Sequence, residues 1–318
     1  MTNVSPAVQQ VAADAREAYG RIAAQVTRTP CLASKQTDGL YFKTENFQQT
    51  GSFKLRGALS KLTSLATDTE VITASSGNHG IACSHAARAT GHRLTVVLPE
   101  NVAAAKLDKI RSYGTRVVLE PGDSGKAEQR ARALAAETGC VYVSPYNDAM
   151  VMAGQGTIGI ELLEQLPMID NLFISLGGGG LVSGVGAVIK QASPNTRVIG
   201  VSAVNSAALE ASIEAGRIVE TEHLDTLADG CAGGVDDDAL TLPIASEVID
   251  ELVHCDEAAI ADALYALAWQ EKMLVEGAAA LTYAGYLAGG DRYAGQVNVV
   301  LLCGANFDRA VLQPILAR

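Results

Sequence analysis

With 318 residues, the chain is long enough for about two domains with separate hydrophobic cores. Hydrophobic residues make up 48% of it and charged residues 19%, which indicates a folded chain and excludes a disordered one. The formal net charge of −11 disfavours nucleic acid and anionic membrane surfaces as partners.

Short β-branched runs alternate with longer helical patterns, which is typical of parallel sheets with crossover helices. Ser5 and Pro6 predict the cap and first turn of a helix that runs to about Val26. Strands are predicted at 71–75, 94–99, 116–120, 141–144, 171–176, 197–202 and 297–303, and helices at 81–91, 103–113, 124–138, 154–165, 181–191, 256–272 and 277–288.

These elements predict an α/β fold with two domains, each a mostly parallel twisted sheet flanked by helices. We place a small α/β domain at 68–147, inserted in a large domain that is made of 1–67 and 148–318. Ligand space is expected at the junction between the two domains.

The cysteines and the N-terminus predict a soluble cytoplasmic protein. Cysteines stand at 31, 83, 140, 231, 255 and 303 without any C-x-x-C pair, which favours reduced thiols over a zinc site or a disulfide framework. The start MTNVSPAVQQ lacks the features of a signal peptide. The uncharged run Leu172–Ile189 contains six glycines and is interpreted as a strand and loop rather than a membrane span.

The first chemical signal is the segment TGSFKLRG at 50–57, which places Lys54 in the first turn of a helix that begins near Ser52. The positive end of the helix dipole repels an ammonium ion and lowers the lysine pKa, which makes the amine a better nucleophile. A solvated surface lysine is the alternative interpretation.

Three further signals stand at predicted strand ends. Ser75-Ser76-Gly77-Asn78-His79-Gly80 offers N–H groups and hydroxyls to a carboxylate, or forms an ordinary turn with an Asn cap. The four glycines Gly177, Gly178, Gly179 and Gly180 precede a helix and suit a phosphate, or form a tight structural turn. Cys303 ends the last strand, where its thiol faces the edge of a bound ring or is simply buried.

In this order, GSFKLRGA, SSGNHG, the GGGG run and the terminal Cys-Gly resemble the fold-type II pyridoxal-phosphate enzymes, the serine/threonine dehydratase and serine racemase family with a tryptophan synthase β-like fold. The resemblance extends from Thr29-Pro30 to Cys303. It implies pyridoxal 5′-phosphate as cofactor, carried as an imine on Lys54, and a homodimer.

The resemblance also implies roles for the other motif residues. Phe53, Asn78, Glu276 and Cys303 would contact the cofactor, with Asn78 on its 3′-oxygen and Cys303 at its pyridine nitrogen, and Gly177 to Gly180 would hold its phosphate. The stretch Ser75, Ser76, Gly77, Asn78 and His79 would bind the substrate. Ser76 occupies the position of a racemase's second acid/base, and Asp229-Gly230 to Gly234 matches a glycine-rich segment beside the active site. Glu276 is alternatively an ordinary helix cap.

The chemistry favours elimination. A thiol at the ring nitrogen, unlike a carboxylate, does little to keep that nitrogen protonated, so the ring is a weaker electron sink. This suits a dehydratase (ammonia-lyase) in which the Lys54 amine removes the Cα proton and water departs, to give a 2-oxo acid and ammonia. Leu55 follows Lys54, whereas transferases of the family usually carry an acidic residue there, so the resemblance also favours the dehydratase branch. The expected substrate is serine, threonine or a relative such as a hydroxyaspartate, a phenylserine or a hydroxyectoine-derived amino acid.

An amino-acid racemase is the alternative within the same chemistry. A non-catalytic binder of a phosphorylated ligand and a nucleotide-dependent oxidoreductase are alternatives of other classes. Ser202, Ser206 and Ala208 stand where metal-activated members carry a glutamate and its companions, so no divalent-metal site is expected. Lys126 stands where the racemase pattern has an arginine near the substrate. No regulatory domain is expected after Cys303. Unregulated kinetics are therefore expected.

Overall fold

A computed structural model describes residues 4–318, so residues 1–3 of the predicted large domain lie outside the described residues. The strands are β1 (Cys31–Ala33), β2 (Leu40–Thr44), β3 (Val71–Ala74), β4 (Leu94–Pro99), β5 (Arg116–Glu120), β6 (Val141–Tyr142), β7 (Asn171–Ser175), β8 (Arg197–Ala203), β9 (Glu251–Cys255) and β10 (Asn298–Leu302). The α-helices are α1 (Pro6–Ile22), α2 (Lys54–Leu62), α3 (Asn78–Thr90), α4 (Ala104–Arg111), α5 (Ser124–Thr138), α6 (Ala149–Gln165), α7 (Gly180–Ala192), α8 (Ala208–Ala215), α9 (Thr241–Val248), α10 (Glu257–Ala266), α11 (Gly277–Ala288) and α12 (Arg309–Leu316).

The strands form two sheets, which confirms the predicted fold class. The large sheet has six strands in the order β1-β2-β10-β7-β8-β9, and only β1 runs antiparallel to its neighbour. The small sheet has four parallel strands in the order β5-β4-β3-β6. The large sheet therefore combines strands that precede the small sheet in the sequence, β1 and β2, with strands that follow it, β7 to β10. The domain boundaries at 67/68 and 147/148 stay a prediction.

Burial explains why the central strands read as continuous apolar runs. Every residue of β7 and β10 is buried, because helices cover both faces of the sheet. α1 begins as predicted, with the Ser5 hydroxyl accepting from Val8 N and Pro6 in the first turn, but it ends at Ile22 rather than near Val26. It packs on α6 and α7 through Val8, Ala12 and other small apolar residues.

Several predicted boundaries were wrong, and one shift matters for the site. α3 begins at Asn78 rather than 81, so Asn78 and His79 lie in its first turn. The predicted helix 256–272 is divided into α10 and a π-helical turn, Leu267–Glu271, that ends at Lys272 with a left-handed φ of 64°. The prediction omitted the short strand β1, the mostly buried β2, the partly exposed β9 and the short helices α8, α9 and α12.

The run Leu172–Ile189 forms β7, a glycine turn and most of α7, so the predicted strand and loop are present and are followed by a helix. Within residues 4–318, no helix combines the length and the apolar character needed to cross a membrane.

Candidate active site

Lys54 stands where the end of β10 meets the start of α2. Phe53 N donates to Cys303 O at 3.0 Å, and Ser52 forms a bridge with Gly304, so the turn before α2 is fixed on the large sheet. Gly51 has a φ of +78°, and a Cβ there would lie 2.8 Å from the Asn306 side chain. The glycine is therefore required both by its backbone conformation and by a close neighbour.

The Lys54 amine points toward the small sheet. Its Nζ donates to Pro145 O at 2.9 Å. Burial lowers the Lys54 pKa, whereas Cys231, Cys303, Cys83 and Glu276 oppose that shift. The direction agrees with the sequence-based expectation, but its largest cause is burial rather than the helix dipole, and a solvated surface lysine is wrong.

The serine loop, Ser75 to Asn78, connects β3 to α3 and is partly buried. Gly77 N donates to Ser75 Oγ at 3.2 Å, which curls the loop. Gly80 lets the helix approach the loop, because a Cβ there would lie 1.8 Å from Ser75 O. The loop thus presents main-chain N–H groups at the N-terminus of a 13-residue helix.

The His79 ring is buried and contacts the interior around the small sheet rather than the serine loop. Its Nε2 is 3.0 Å from Val143 O and its ring approaches Cys83 Sγ at 3.5 Å. Burial and the nearby Lys54 lower the His79 pKa to about 3, so the ring is neutral. The predicted substrate-binding role of His79 is therefore limited to its main chain, since its side chain is committed to the small sheet.

Asn78 connects the serine loop to the large sheet. Its Nδ2 donates to both oxygens of Glu276, at 2.8 and 3.1 Å. Glu276 is only 4% exposed, also accepts from Asn306 N at 3.0 Å, and has a pKa that burial raises despite these donors. Glu276 is the residue that precedes α11, but its side chain makes no capping hydrogen bond, so the helix-cap interpretation is wrong.

The glycine loop, Gly177 to Gly180, follows β7 and includes Gly180, the first residue of α7. Gly179 has a φ of +88°, and a Cβ on Gly178 would lie 2.4 Å from the Tyr146 ring. Thr241 Oγ1 donates to Gly178 O at 2.7 Å and holds the loop from the other side. The loop is a cradle that any side chain would fill, at the positive end of a 13-residue helix.

Two buried thiols, Cys231 and Cys303, lie close enough to Lys54 to affect its pKa. Burial raises the pKa of Cys303 well above its ordinary value and that of Cys231 to about 12, although Ser175 opposes both shifts. Cys303 Sγ lies 3.8 Å from Glu276 Oε1. Both thiols are therefore neutral, as the predicted role of Cys303 requires.

Four further residues lie at the site although no motif of the sequence predicts a role for them: Pro145, Tyr146, Cys231 and Asn306. The Tyr146 hydroxyl accepts from Asp236 N at 2.9 Å, which fixes the ring against the glycine loop. The available signal was position: Pro145 and Tyr146 directly follow a predicted strand, and ligands bind at the carboxyl ends of parallel strands.

Three residues stand where metal-activated members of the family would carry metal ligands: Ser202, Ser206 and Ala208. Ser206 Oγ lies 2.9 Å from His223 Nδ1 and accepts from Gly233 N at 3.1 Å, Ser202 is buried in β8, and Ala208 begins α8. From Val4 onward, no group of three or more His, Cys, Asp or Glu residues could hold a metal ion. Lys126 is exposed on α5, and the specificity role considered for it stays untested.

Comparison with known proteins gives consistent matches over nearly the whole chain. A family model described as "Pyridoxal-phosphate dependent enzyme" matches residues 22–304. L-threonine ammonia-lyase of Thermotoga maritima is 38% identical over 95% of this chain and 77% of its own. Serine racemase of Oryza sativa subsp. indica is 35% identical over 86% of this chain and 82% of its own. The structure of maize serine racemase superimposes with a TM-score of 0.88 at 31% identity, covering 96% of each chain.

Proposed function

Because the chain belongs to the family of pyridoxal-phosphate dependent enzymes, we propose that it is a dehydratase (ammonia-lyase) acting on a small β-hydroxy amino acid. Serine and threonine are the first candidates, followed by relatives such as hydroxyaspartate, phenylserine or a hydroxyectoine-derived amino acid. The products would be a 2-oxo acid and ammonia. The observation that carries the proposal is the partly buried Lys54 amine, which donates to Pro145 O near the neutral thiol of Cys303, together with the glycine cradle.

The residues fit pyridoxal 5′-phosphate. The glycine loop at the start of α7 offers N–H groups to a phosphate dianion, and Lys54 offers an amine whose lowered pKa leaves it nucleophilic. Phe53, Asn78, Glu276 and Cys303 would surround the ring. When bound, the cofactor supplies an aldehyde for an amine and a ring that withdraws electrons from the substrate Cα–H bond.

Lys54 would move the proton. Its neutral amine accepts the Cα proton, and the resulting ammonium returns it to the departing hydroxyl, so that water leaves. Pro145 O holds Nζ at 2.9 Å and orients it for both transfers. The released enamine takes up water and gives the oxo acid and ammonia.

The serine loop would bind the substrate carboxylate. Ser75, Ser76, Gly77 and Asn78 lie at the N-terminus of α3, where main-chain N–H groups and the helix dipole favour an anion. The buried His79 ring anchors the first turn of α3 to Val143 O. An amino acid bound there by its carboxylate would present its Cα toward the Lys54 side of the site.

Amino-acid racemisation is the second candidate. The 35% identity to a serine racemase favours it, and the resemblance of the motifs implies that Ser76 occupies the position of a racemase's second acid/base. Membership in an enzyme family leaves no support for a non-catalytic binder or a nucleotide-dependent oxidoreductase.

The test compares the wild type with Lys54→Ala and with Lys61→Ala, a matched lysine on the same helix that pairs with Asp148. The wild type and Lys61→Ala should absorb visible light, and borohydride should fix the pigment to the peptide that contains Lys54. Lys54→Ala should lose both pigment and turnover. Retention of both would contradict the proposal.

One panel of β-hydroxy amino acids identifies the preferred substrate and distinguishes elimination from racemisation. Oxo-acid and ammonia release measures elimination, and chiral analysis of the remaining substrate measures racemisation. Interconversion of enantiomers without ammonia would favour the racemase.

A further inference from the structure

The Asn306 side chain lies at the rim of the site and contacts two distant segments. Its Nδ2 donates to Thr50 O at 2.8 Å, in the turn that leads to Lys54, and to Asn78 Oδ1 at 2.7 Å, in the serine loop. Its main-chain N donates to Glu276 Oε2 at 3.0 Å. One exposed residue after β10 thus connects both sheets with the buried carboxylate.

The direction of these hydrogen bonds is fixed from one end. The Thr50 carbonyl can only accept, so it must face the NH2 group of Asn306. The second N–H of that group then faces Asn78, which must present its oxygen. The Asn78 NH2 group is left to face the Glu276 carboxylate, to which it donates at 2.8 Å.

We propose that Asn306 is a positioning residue that holds the Asn78 amide with its NH2 group directed into the site and latches the serine loop onto the large sheet. The proposal rests on the proposed function, because the group that Asn78 would serve is the cofactor. Asn306 would act on the cofactor through Asn78, while its hydrogen bond to Thr50 O fixes the orientation of its own amide.

Loss of Asn306 would remove the donor to Asn78 Oδ1 and leave Glu276 alone to hold the amide. A turned amide would place Oδ1 against the Glu276 carboxylate, which is repulsive, so the freed side chain would instead swing out of the site. Gly51 supports the assignment, because a Cβ there would lie 2.8 Å from Asn306 Oδ1 and displace the latch.

The experiment uses Asn306→Ala, which removes the latch, and Asn306→Asp, which replaces its donor with an acceptor. The matched control is Asn298→Asp, since Asn298 is also in the β10 region, and its Nδ2 also donates to two carbonyls, those of Tyr293 and Gln296. Four properties are measured: the visible spectrum of the holoenzyme against pH, kcat and KM with the best hydroxy amino acid, amide hydrogen exchange at 75–80 without cofactor, and Tm.

Both Asn306 variants should shift the pH titration of the visible band, lower kcat/KM by about tenfold to a hundredfold, and speed amide exchange in the serine loop. Asn298→Asp should lower Tm but leave the spectrum and the exchange at 75–80 unchanged.

Unchanged spectra and unchanged exchange in Asn306→Ala would overturn the proposal. A response of Asn306→Asp alone would also overturn it, because the effect would then come from the added negative charge rather than from loss of the hydrogen bonds. A similar response in Asn298→Asp would also overturn it, because general destabilisation would then explain the effect. A wild type that binds no pyridoxal phosphate would contradict the proposed function instead, and the exchange measurement would still decide the latch.

Discussion

At the scale of single residues, His79 links the site to the pH dependence of stability. The ring is neutral in the folded protein, because its pKa falls from 6.5 to about 3. The unfolded chain binds the proton more readily between those values, so the contribution of His79 to stability is complete above pH 6.5 and is lost as the pH falls toward 3.

This predicts a measurable effect of His79→Gln, which keeps a donor for Val143 O. Between about pH 7.5 and about pH 5.5, the wild type should lose roughly 1.4 kcal/mol more unfolding free energy than the variant. Urea unfolding of the cofactor-free protein at both pH values measures it. The exposed His254, replaced by Gln, serves as the control and should follow the wild type; equal losses in all three proteins would contradict the assignment.

The glycine loop supports a second prediction at this scale. Gly178→Ala should weaken pyridoxal-phosphate binding by at least about tenfold, because its Cβ would lie 2.4 Å from the Tyr146 ring and one of the two must move. Gly20→Ala, with nothing within 4 Å of the new Cβ, is the control and should leave binding intact. Titration of apoenzyme with cofactor, followed by visible absorbance, measures both; equal affinity would show that the cradle is not the phosphate site.

Local motifs could predict Lys54 and the glycine loop, because each consists of consecutive residues with a direct physical reason. They could not predict Asn306 or the environment of Glu276. Those depend on hydrogen bonds that span 228 and 198 residues, to Asn78 in both cases. Nothing near residue 306 in the sequence indicates which side chain it will meet.

At the scale of elements, a buried cluster of charges fixes α2. Arg56 donates to Glu45 and Glu161 through distances of 2.7 to 2.9 Å, and Lys43 donates to Glu161 at 2.5 Å. All four side chains are fully buried. Because Arg56 is two residues after Lys54, the cluster anchors the helix that carries the amine.

Arg56→Met should therefore destabilise the protein by about 3–5 kcal/mol, because two buried carboxylates would lose their shared partner. Arg28→Met is the matched control: its pair with Glu164 is about half exposed and should contribute about 0–1 kcal/mol. Chemical unfolding of both variants gives the difference. A loss below about 1 kcal/mol for Arg56→Met would show that the cluster does not anchor α2.

At the scale of the whole molecule, alternating patterns predicted two mostly parallel sheets, and the strand order could not be predicted. β10, the last strand, lies between β2 and β7 and brings Cys303 beside Lys54. Pairing between strands separated by most of the chain leaves no local trace. The short β1 and the partly exposed β9 also lacked the apolar runs that identify central strands.

The predicted homodimer also belongs to this scale, and the surface offers it a place. Two grooves, of about 390 and 330 Å³, have neighbouring residues of the chain in their walls: Leu274 lines the first, which is mostly apolar, and 271–273 line the second. Their walls include the exposed side chains Leu32, Phe47, Leu274 and Phe307. Exposed apolar surface of this kind marks interaction sites, and a second copy related by a twofold axis is the commonest partner of a soluble enzyme.

Leu274→Glu should therefore shift the protein from dimer to monomer, because a carboxylate in the interface would lose its hydration without gaining a partner. Met168→Glu is the control, since Met168 is equally exposed but lines neither groove. Light scattering after size exclusion gives the mass of each protein. A monomeric wild type would contradict the predicted homodimer. A dimer that Met168→Glu disrupts and Leu274→Glu does not would place the interface outside the grooves, because only Leu274 lines one of them.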